Sequence, residues 1–442
     1  MSSRERFEEL VGWAKSQLEG DEILLARFDG ENSDFIRFNG ASVRQAGSVR
    51  QRSVELELID GQRHTSGSVS LSEDDELDRG RVGSLLAELR DQVGLVPEDP
   101  YLLYATDEPS TTDERPSDIP DGTGAVDRVL DASAGRDLAG IYASGDIFSG
   151  YASSLGQRHW FRGATFNFDW SFYLRADKAA KNGYAGTSWD DDAFDAKIAW
   201  SARQLDALAR EPIDLQPGRY RTFLAPAAMV EIMDMLSWGG FGLRAHRTRR
   251  TPLLRMVTEG ATLHPGVTIT EDTAGGAAPA FQSDGFTRPD EVVLIDGGSS
   301  GGHLVSPRSA QEYGVATNGA ESHESPVSVA LSAGAIPTGT ELDALGTGLY
   351  VGNLWYLNFS DRAAGRLTGM TRFATFWVED GEIVAPVNVL RFDDSIFHLL
   401  GDGLVGLTDT AEMILDPGTY GGRSTMSHRV PGALVEAMTF TL

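Results

Sequence analysis

Hydrophobic residues in the first half of the chain follow two alternating spacings. Residues 3–18, 72–93 and 190–211 carry them at helical intervals, with charged residues between, which predicts three amphipathic helices. Residues 54–58 instead alternate apolar and acidic side chains, and residues 141–175 return to strand-like alternation, which predicts strands with one buried face. Together these patterns predict an antiparallel sheet covered by helices.

Turn signals punctuate the same half of the chain. The Asp-Gly and Asn-Gly pairs at 29–30, 39–40 and 60–61 tolerate the positive φ angles of tight hairpin turns, so we expect an antiparallel meander. Residues 107–123 contain three prolines, many acidic residues and a single aliphatic side chain, so they cannot bury an apolar face. We expect an exposed loop there.

The composition changes near residue 212. From there onward glycine and proline recur, short β-rich runs dominate and long helical patterns are few. Residues 371–378 are apolar on both faces and are followed by an Asp-Gly pair at 380–381, which predicts a central strand and a hairpin turn. We therefore predict an α+β protein of two domains: an N-terminal domain over 1–211 and a β-rich C-terminal domain with few helices over 212–442.

Composition removes several classes of function. The 442 residues include 38 Lys plus Arg and 65 Asp plus Glu, a formal net charge of −27, so nucleic acid and anionic membranes are not expected partners. Cysteine is absent from the sequence, which excludes disulfides, thiolate nucleophiles and Cys-ligated metals. The first residues lack the apolar core of a signal peptide, and no apolar run reaches membrane-spanning length, so we expect a cytoplasmic protein without a membrane partner.

Two short motifs contain residue types that bind metals or phosphate in other proteins. His323-Glu324 begins like a zincin motif, but the second His is missing and Pro326 would interrupt the required helix, so we predict a polar loop. The glycine-rich residues 296–303 lack the Gly-Lys-Ser/Thr of a phosphate-binding loop, and we expect a flexible loop there. These motifs assign no catalytic residue.

Four aromatic rings fall on one face of a single predicted strand, those of Phe166, Phe168, Trp170 and Phe172. Large rings are common fillers of protein cores, so we predict that they pack in a core or between domains. A stacking platform for a ligand is the alternative interpretation.

An ordered block in the second half carries a family resemblance. It runs Gly-Leu-Tyr-Val-Gly-Asn-Leu-Trp-Tyr-Leu-Asn-Phe-Ser-Asp over 348–361, then Leu-Thr-Gly-Met-Thr-Arg over 367–372, Glu-Asp-Gly-Glu-Ile over 379–383 and Pro386-Val. With supporting stretches at 48–70, 154–156 and 292–318, the chain resembles the TldD/TldE (PmbA) family, also known as modulators of DNA gyrase.

The resemblance implies a two-domain fold and a role in peptide degradation. In that family a zinc metallopeptidase subunit, TldD, pairs with a metal-free subunit, TldE, and together they process unfolded or extended peptides. TldD-type chains carry a His-Glu-x-x-x-His helix and a Cys ligand. The matching segment here, 227–236, has no histidine and only Glu231 and Asp234 as polar residues, so the chain looks like the TldE type, with no metal of its own.

We therefore expect a non-catalytic subunit, with zinc supplied by a TldD-like partner in a heterodimer; a homodimer is the other possible assembly. Peptide would add as a strand to an open sheet edge, through backbone hydrogen bonds. The candidate residues for substrate or subunit contact are Asn353, Tyr356, Asp361, Thr368, Gly369 and Arg372. Two alternatives stay open: a self-sufficient peptidase using Glu231, Asp234 and His246, and a non-proteolytic peptide-binding homodimer using the aromatic strand.

Overall fold

The first part of the chain forms a seven-stranded sheet. In the computed structural model, which describes residues 1–107, 109–175 and 178–441, its strands are β1 (Ile23–Asn39), β2 (Ser42–Asp60), β3 (Arg63–Ser70), β4 (Thr111–Glu114), β5 (Asp137–Ser153), β6 (Arg158–Arg175) and β7 (Lys178–Gly186). The order is β3-β2-β1-β5-β6, and β4 and β7 both pair with β6. All pairs are antiparallel except β4 with β6.

Four helices cover one face of this sheet: α1 (Ser3–Lys15), α2 (Asp75–Val93), α3 (Gly122–Ala132) and α4 (Asp191–Leu208). Phe28 and Val54 on that face pack among the buried residues of α1 and α2, and Phe168 packs with buried residues of α3 and α4. The three predicted helices and the helix-covered antiparallel sheet are therefore confirmed.

One predicted turn is wrong. The turns at 39–40 and 60–61 are present, and Gly40 and Gly61 have φ values of 60° and 61°. The pair at 29–30 instead lies in the middle of β1, opposite Ser53 and Arg52 of β2. Glycine at this position leaves room for the side chain of Arg52, because a Cβ at Gly30 would lie 2.7 Å from Cδ of Arg52.

The predicted loop over 107–123 is also partly wrong. Within it, β4 pairs in parallel with β6, and α3 begins at Gly122 with Asp121 as its cap. An edge strand such as β4 is held by backbone hydrogen bonds and does not require an apolar face. The polar composition of 107–123 therefore did not predict it. Glu108 of the same stretch lies outside the described residues.

The second part of the chain contributes thirteen strands in two sheets. They are β8 (Gly218–Leu224), β9 (Ile269–Asp272), β10 (Glu291–Asp296), β11 (Ser299–Ser300), β12 (Ser328–Leu331), β13 (Gly348–Asp361), β14 (Arg366–Glu379), β15 (Glu382–Pro386), β16 (Arg391–Ser395), β17 (Leu404–Leu407), β18 (Glu412–Leu415), β19 (Ser427–Val430) and β20 (Ala433–Phe440). One sheet has the order β11-β10-β9-β12-β19-β18. In the other, β13-β8-β20-β16-β14 closes into a ring because β14 also pairs with β13.

The helices of this part are short: α5 (Pro226–Ser237), α6 (Leu243–Arg247), α7 (Leu254–Glu259), α8 (Pro307–Tyr313) and α9 (Glu341–Leu345), with one wider turn at His398–Asp402. This confirms the predicted α+β class with a β-rich second half. The division between 211 and 212 falls in the connection from α4 to β8, and stays a prediction.

The central-strand prediction for 371–378 is confirmed. These residues belong to β14, which pairs with β13, β15 and β16. The chain then turns into β15 at Asp380 and Gly381, with φ values of 49° and 80°.

The predicted flexible loop at 296–303 is instead a hairpin between β10 and β11. Its glycines permit close backbone packing, since a Cβ at Gly298 would lie 2.4 Å from the carbonyl oxygen of Leu263.

Polar contacts join the second face of the first sheet to the C-terminal part. Arg27 of β1 donates a hydrogen bond to the carbonyl of Ser283. Arg423 donates to the carbonyls of Gly145, at 3.1 Å, and Thr165, at 2.7 Å. The sheet therefore lies between its own helices on one side and the C-terminal part on the other.

Candidate functional site

Helix α5 occupies the segment that the family resemblance matches to a zinc-binding helix. Pro226 stands at its first position, where a missing backbone N–H costs nothing. Met229, Ile232 and Met233 are fully buried in the C-terminal core. Helix α5 is therefore a core helix, and its polar residues Glu231 and Asp234 lie on the remaining face.

Asp234 contacts a histidine from a distant strand. Its Oδ1 atom lies 2.7 Å from Nε2 of His428, which belongs to β19 and is only 6% exposed. Beside it, burial raises the pKa of Glu231, and the Asp234 carboxylate raises it further, whereas Lys181 and His428 act in the opposite direction. Glu231, Asp234, His428 and Lys181 therefore form one electrostatic group, which we call the α5 centre.

Lys181 brings the first sheet into this centre. It belongs to β7, and its Nζ lies 3.1 Å from Oδ2 of Asp169 on β6. The same Nζ lies 5.9 Å from the ring centroid of Phe373 on β14. The α5 centre thus lies where both parts of the chain meet.

These residues do not fit a zinc ion. Zinc prefers nitrogen and sulfur ligands in a tetrahedral set. The α5 centre offers one histidine, whose Nε2 is already engaged by Asp234, and the sequence has no cysteine. Within the described ranges, no group of three or more His, Asp or Glu side chains is arranged to hold a metal ion.

The alternative constellation of Glu231, Asp234 and His246 is not assembled. His246 lies in α6, where its ring centroid is 4.2 Å from that of His303 and its Nε2 is 2.7 Å from the carbonyl oxygen of Gly240. Burial lowers the pKa of both rings, that of His303 to about 4. The histidine at the α5 centre is His428, which sequence reasoning missed because no local spacing connects it to α5.

Two of the predicted contact residues lie opposite each other on the β13–β14 hairpin. Asn353 and Arg372 are cross-strand partners. The guanidinium of Arg372 lies 3.9 Å from the ring centroid of Trp355, which is 46% exposed. Arg372 also lies 4.9 Å from the ring centroid of Phe373, which in turn faces Lys181.

The other four predicted contact residues are dispersed along the same hairpin. Tyr356 is 76% exposed, and Asp361, at the end of β13, accepts a hydrogen bond from the backbone of Ala364. Thr368 donates a hydrogen bond to the backbone carbonyl of Phe392, and Gly369 is buried against the ring of Phe392. These two positions therefore belong to the interior of the sheet. A contact role for all six residues stays a prediction.

The aromatic strand is core, as predicted. Phe166, Phe168, Trp170 and Phe172 all have no exposed surface. Trp170 stacks on Phe168, with ring centroids 4.7 Å apart and an interplanar angle of 15°. A ligand cannot reach these rings, so the interpretation as a binding platform is wrong.

A groove separates the first sheet from residues 415–424. One section, of about 260 Å³, has Arg37, Asn167 and Asp169 on its floor. A second section, of about 390 Å³, adjoins it along β2, and the two share Arg37, Ile141 and Thr419. Because Asp169 also pairs with Lys181, the groove leads from β2 toward the α5 centre.

Known structures share this fold over almost the whole chain. TldE from Thermococcus kodakarensis is similar over 99% of this chain and 100% of its own, with 14% identity and a TM-score of 0.79. A proposed modulator of a DNA gyrase from Thermotoga maritima covers 100% of both chains, with 15% identity and a TM-score of 0.74. A similar protein from Bacteroides thetaiotaomicron covers 98% of both, with 15% identity and a TM-score of 0.74. The fold is therefore that of the gyrase-modulator and TldE structures.

The C-terminal half identifies the family. Residues 217–442 match the family described as the PmbA/TldA metallopeptidase C-terminal domain. The chain belongs to this PmbA/TldD metallopeptidase family, which confirms the resemblance of the 348–387 block. No curated protein matches the sequence. Among the described residues, no helix is both long and apolar enough to cross a membrane.

Proposed function

We propose that this chain is the non-catalytic subunit of a two-chain zinc peptidase that processes unfolded or extended peptides. The α5 centre carries the proposal. It has the family's helix in place but presents Glu231, Asp234 and a buried His428 that is already paired. A chain with this donor set needs a TldD-type partner to supply zinc and the catalytic residues.

The groove supports a role in holding peptide. It is open along its length, and its floor mixes backbone, amide and charged groups rather than a closed apolar cavity. Such a surface suits an extended polypeptide, whose backbone offers hydrogen bonds in any sequence. The exposed Trp355 and Tyr356 add the residue types that are enriched in binding surfaces.

Activity measurements on three samples test the subunit role: this chain, a TldD-type chain that carries the His-Glu-x-x-x-His motif, and their mixture. The substrate is a fluorescently labelled unfolded protein such as reduced casein. We expect no cleavage by this chain alone, and cleavage by the mixture about tenfold or more above that of the TldD-type chain. Replacing the motif glutamate of the TldD-type chain by glutamine should abolish cleavage in the mixture.

Native mass spectrometry of the same samples reports assembly and metal together. We expect a complex of the two chains with zinc bound only in the presence of the TldD-type chain. Chelator-sensitive cleavage by this chain alone, or one zinc ion bound to it, would overturn the proposal. A stable zinc-free homodimer that never stimulates a TldD-type chain would also overturn it.

A further inference from the structure

Half of β2 has a free edge. Residues 53–60 of β2 pair with β3, but residues 42–51 pair with β1 only. All ten residues of this segment are exposed. The described part of the chain therefore presents an open strand edge ten residues long, which we call the β2 edge.

Backbone geometry shows which groups are free. The carbonyl of Arg52 accepts a hydrogen bond from the backbone N–H of Leu71 on the β3 side. Because backbone groups alternate sides along an antiparallel strand, those of Ala46, Ser48 and Arg50 point to the same side, beyond the end of β3. A partner strand of about six residues can pair with them, as in recognition by strand addition.

The β2 edge is basic in a strongly acidic protein. Its sequence contains Arg44 and Arg50 and no acidic residue, whereas the whole chain has a formal net charge of −27. Arg37 lies across from it on β1, opposite Gln45. None of these three arginines takes part in an ion pair with another described residue. They therefore offer free positive charge to a negatively charged strand.

Self-pairing of two copies is disfavoured by the same charges. An antiparallel pair of β2 edges centred on Gly47 would place Arg44 of each copy opposite Arg50 of the other. Like charges directly opposite each other destabilise a strand pair. Charge complementarity thus selects an acidic segment over a second copy.

The adjoining groove offers room for side chains of a bound strand. Its section along β2 is lined by Gln45, Gly47 and Val49, with Ser48 from the opposite face, so it reaches around the edge. Phe35 and Ile141 supply apolar contacts on its floor beside Arg37 and Glu31, and Glu31 accepts a hydrogen bond from the side chain of Gln51. Gly421 lies across from this floor. Alternating apolar and acidic side chains would match this floor and the arginines.

We propose that the β2 edge binds an extended acidic peptide by strand addition; this rests on the proposed function and names the substrate class that this subunit prefers. The backbone of Ala46, Ser48 and Arg50 holds the peptide, and Arg44 and Arg50 select its charge.

Fluorescence anisotropy with two labelled peptides of about ten residues tests the proposal on the full chain. One alternates glutamate with valine, and the other has lysine in place of glutamate. We expect the acidic peptide to bind and the basic one not to bind. In R44E/R50E the acidic peptide should bind about tenfold or more weakly, while the basic peptide gains affinity. The control R79E/R203E changes the net charge equally, at arginines outside the edge, and should leave acidic-peptide binding within about twofold.

Ala46→Pro tests the backbone part, because proline removes an N–H on the open side while the arginines remain. We expect the acidic peptide to bind about tenfold or more weakly to this variant. Equal binding of both peptides, or acidic binding that is insensitive to R44E/R50E and to Ala46→Pro, would overturn the proposal. So would a dimer of this chain that Ala46→Pro dissociates. Stimulation of the TldD-type chain on reduced casein is measured separately, so failure at the edge is distinguishable from failure of the subunit function.

Discussion

Asp284 should make the fold less stable as the pH rises. It lies in the polar layer between the two parts of the chain, 3.4 Å from Arg27. Burial, the largest influence, raises its pKa from 3.8 to about 6; Arg27 and Gln282 oppose this change, and Glu57 and Glu321 add to it. The folded chain therefore holds this proton more tightly than the unfolded chain. Protonation stabilises the fold most below pH 3.8, and this contribution is lost as the pH rises to about 6.

The size of the effect follows from the two pKa values. At about 1.4 kcal/mol per pH unit, the interval from 3.8 to about 6 corresponds to about 3 kcal/mol. Asp284→Asn removes the titration but keeps an oxygen that can accept from Arg27. We expect the free energy of unfolding of the variant, relative to the unmodified chain, to rise by up to about 3 kcal/mol between about pH 4 and pH 7.5.

Urea unfolding followed by tryptophan fluorescence at about pH 4, 5, 6 and 7.5 measures this difference. Asp290→Asn, at an exposed carboxylate nearby, is the matched control and should show no comparable trend. A difference for Asp284→Asn that stays constant with pH, or that falls as the pH rises, would refute the reasoning about burial.

Two further predictions concern stability. Arg423→Met should cost about 1–3 kcal/mol, because the carbonyls of Gly145 and Thr165 lose their donor; limited proteolysis should show faster cleavage in 416–426, and unchanged cleavage would contradict this. Gly145→Ala should destabilise by more than about 1 kcal/mol in thermal unfolding, since φ is 133° and the new Cβ would lie 2.0 Å from the carbonyl oxygen of Asn32. Gly47→Ala, which meets nothing within 4 Å, is its control and should cost little, and equal losses at the two glycines would contradict this account.

Local signals predicted the elements but not the site. The helices α1, α2 and α4 and the strand β14 carry their own apolar periodicity, so their burial could be derived from the residues alone. The α5 centre could be derived only in part. Glu231 and Asp234 follow from the helix, but His428 comes from β19 and Lys181 from β7, and their arrival depends on tertiary packing. The role of Gly30 could not be derived from the sequence either, since its close contact with Arg52 exists only across paired strands.

Packing also explains how helix α5 can form although residues 227–236 contain no histidine. Met229, Ile232 and Met233 are fully buried, and a buried side chain of this size contributes about 1.5–3 kcal/mol. The position of α5 is therefore set by its apolar face, whatever its polar face carries. Because a fold fixed in this way is compatible with several chemistries, similarity of fold assigns no catalysis. The chemistry of α5 depends on the residues of its polar face. In this chain that face holds two carboxylates, one of which already pairs with His428.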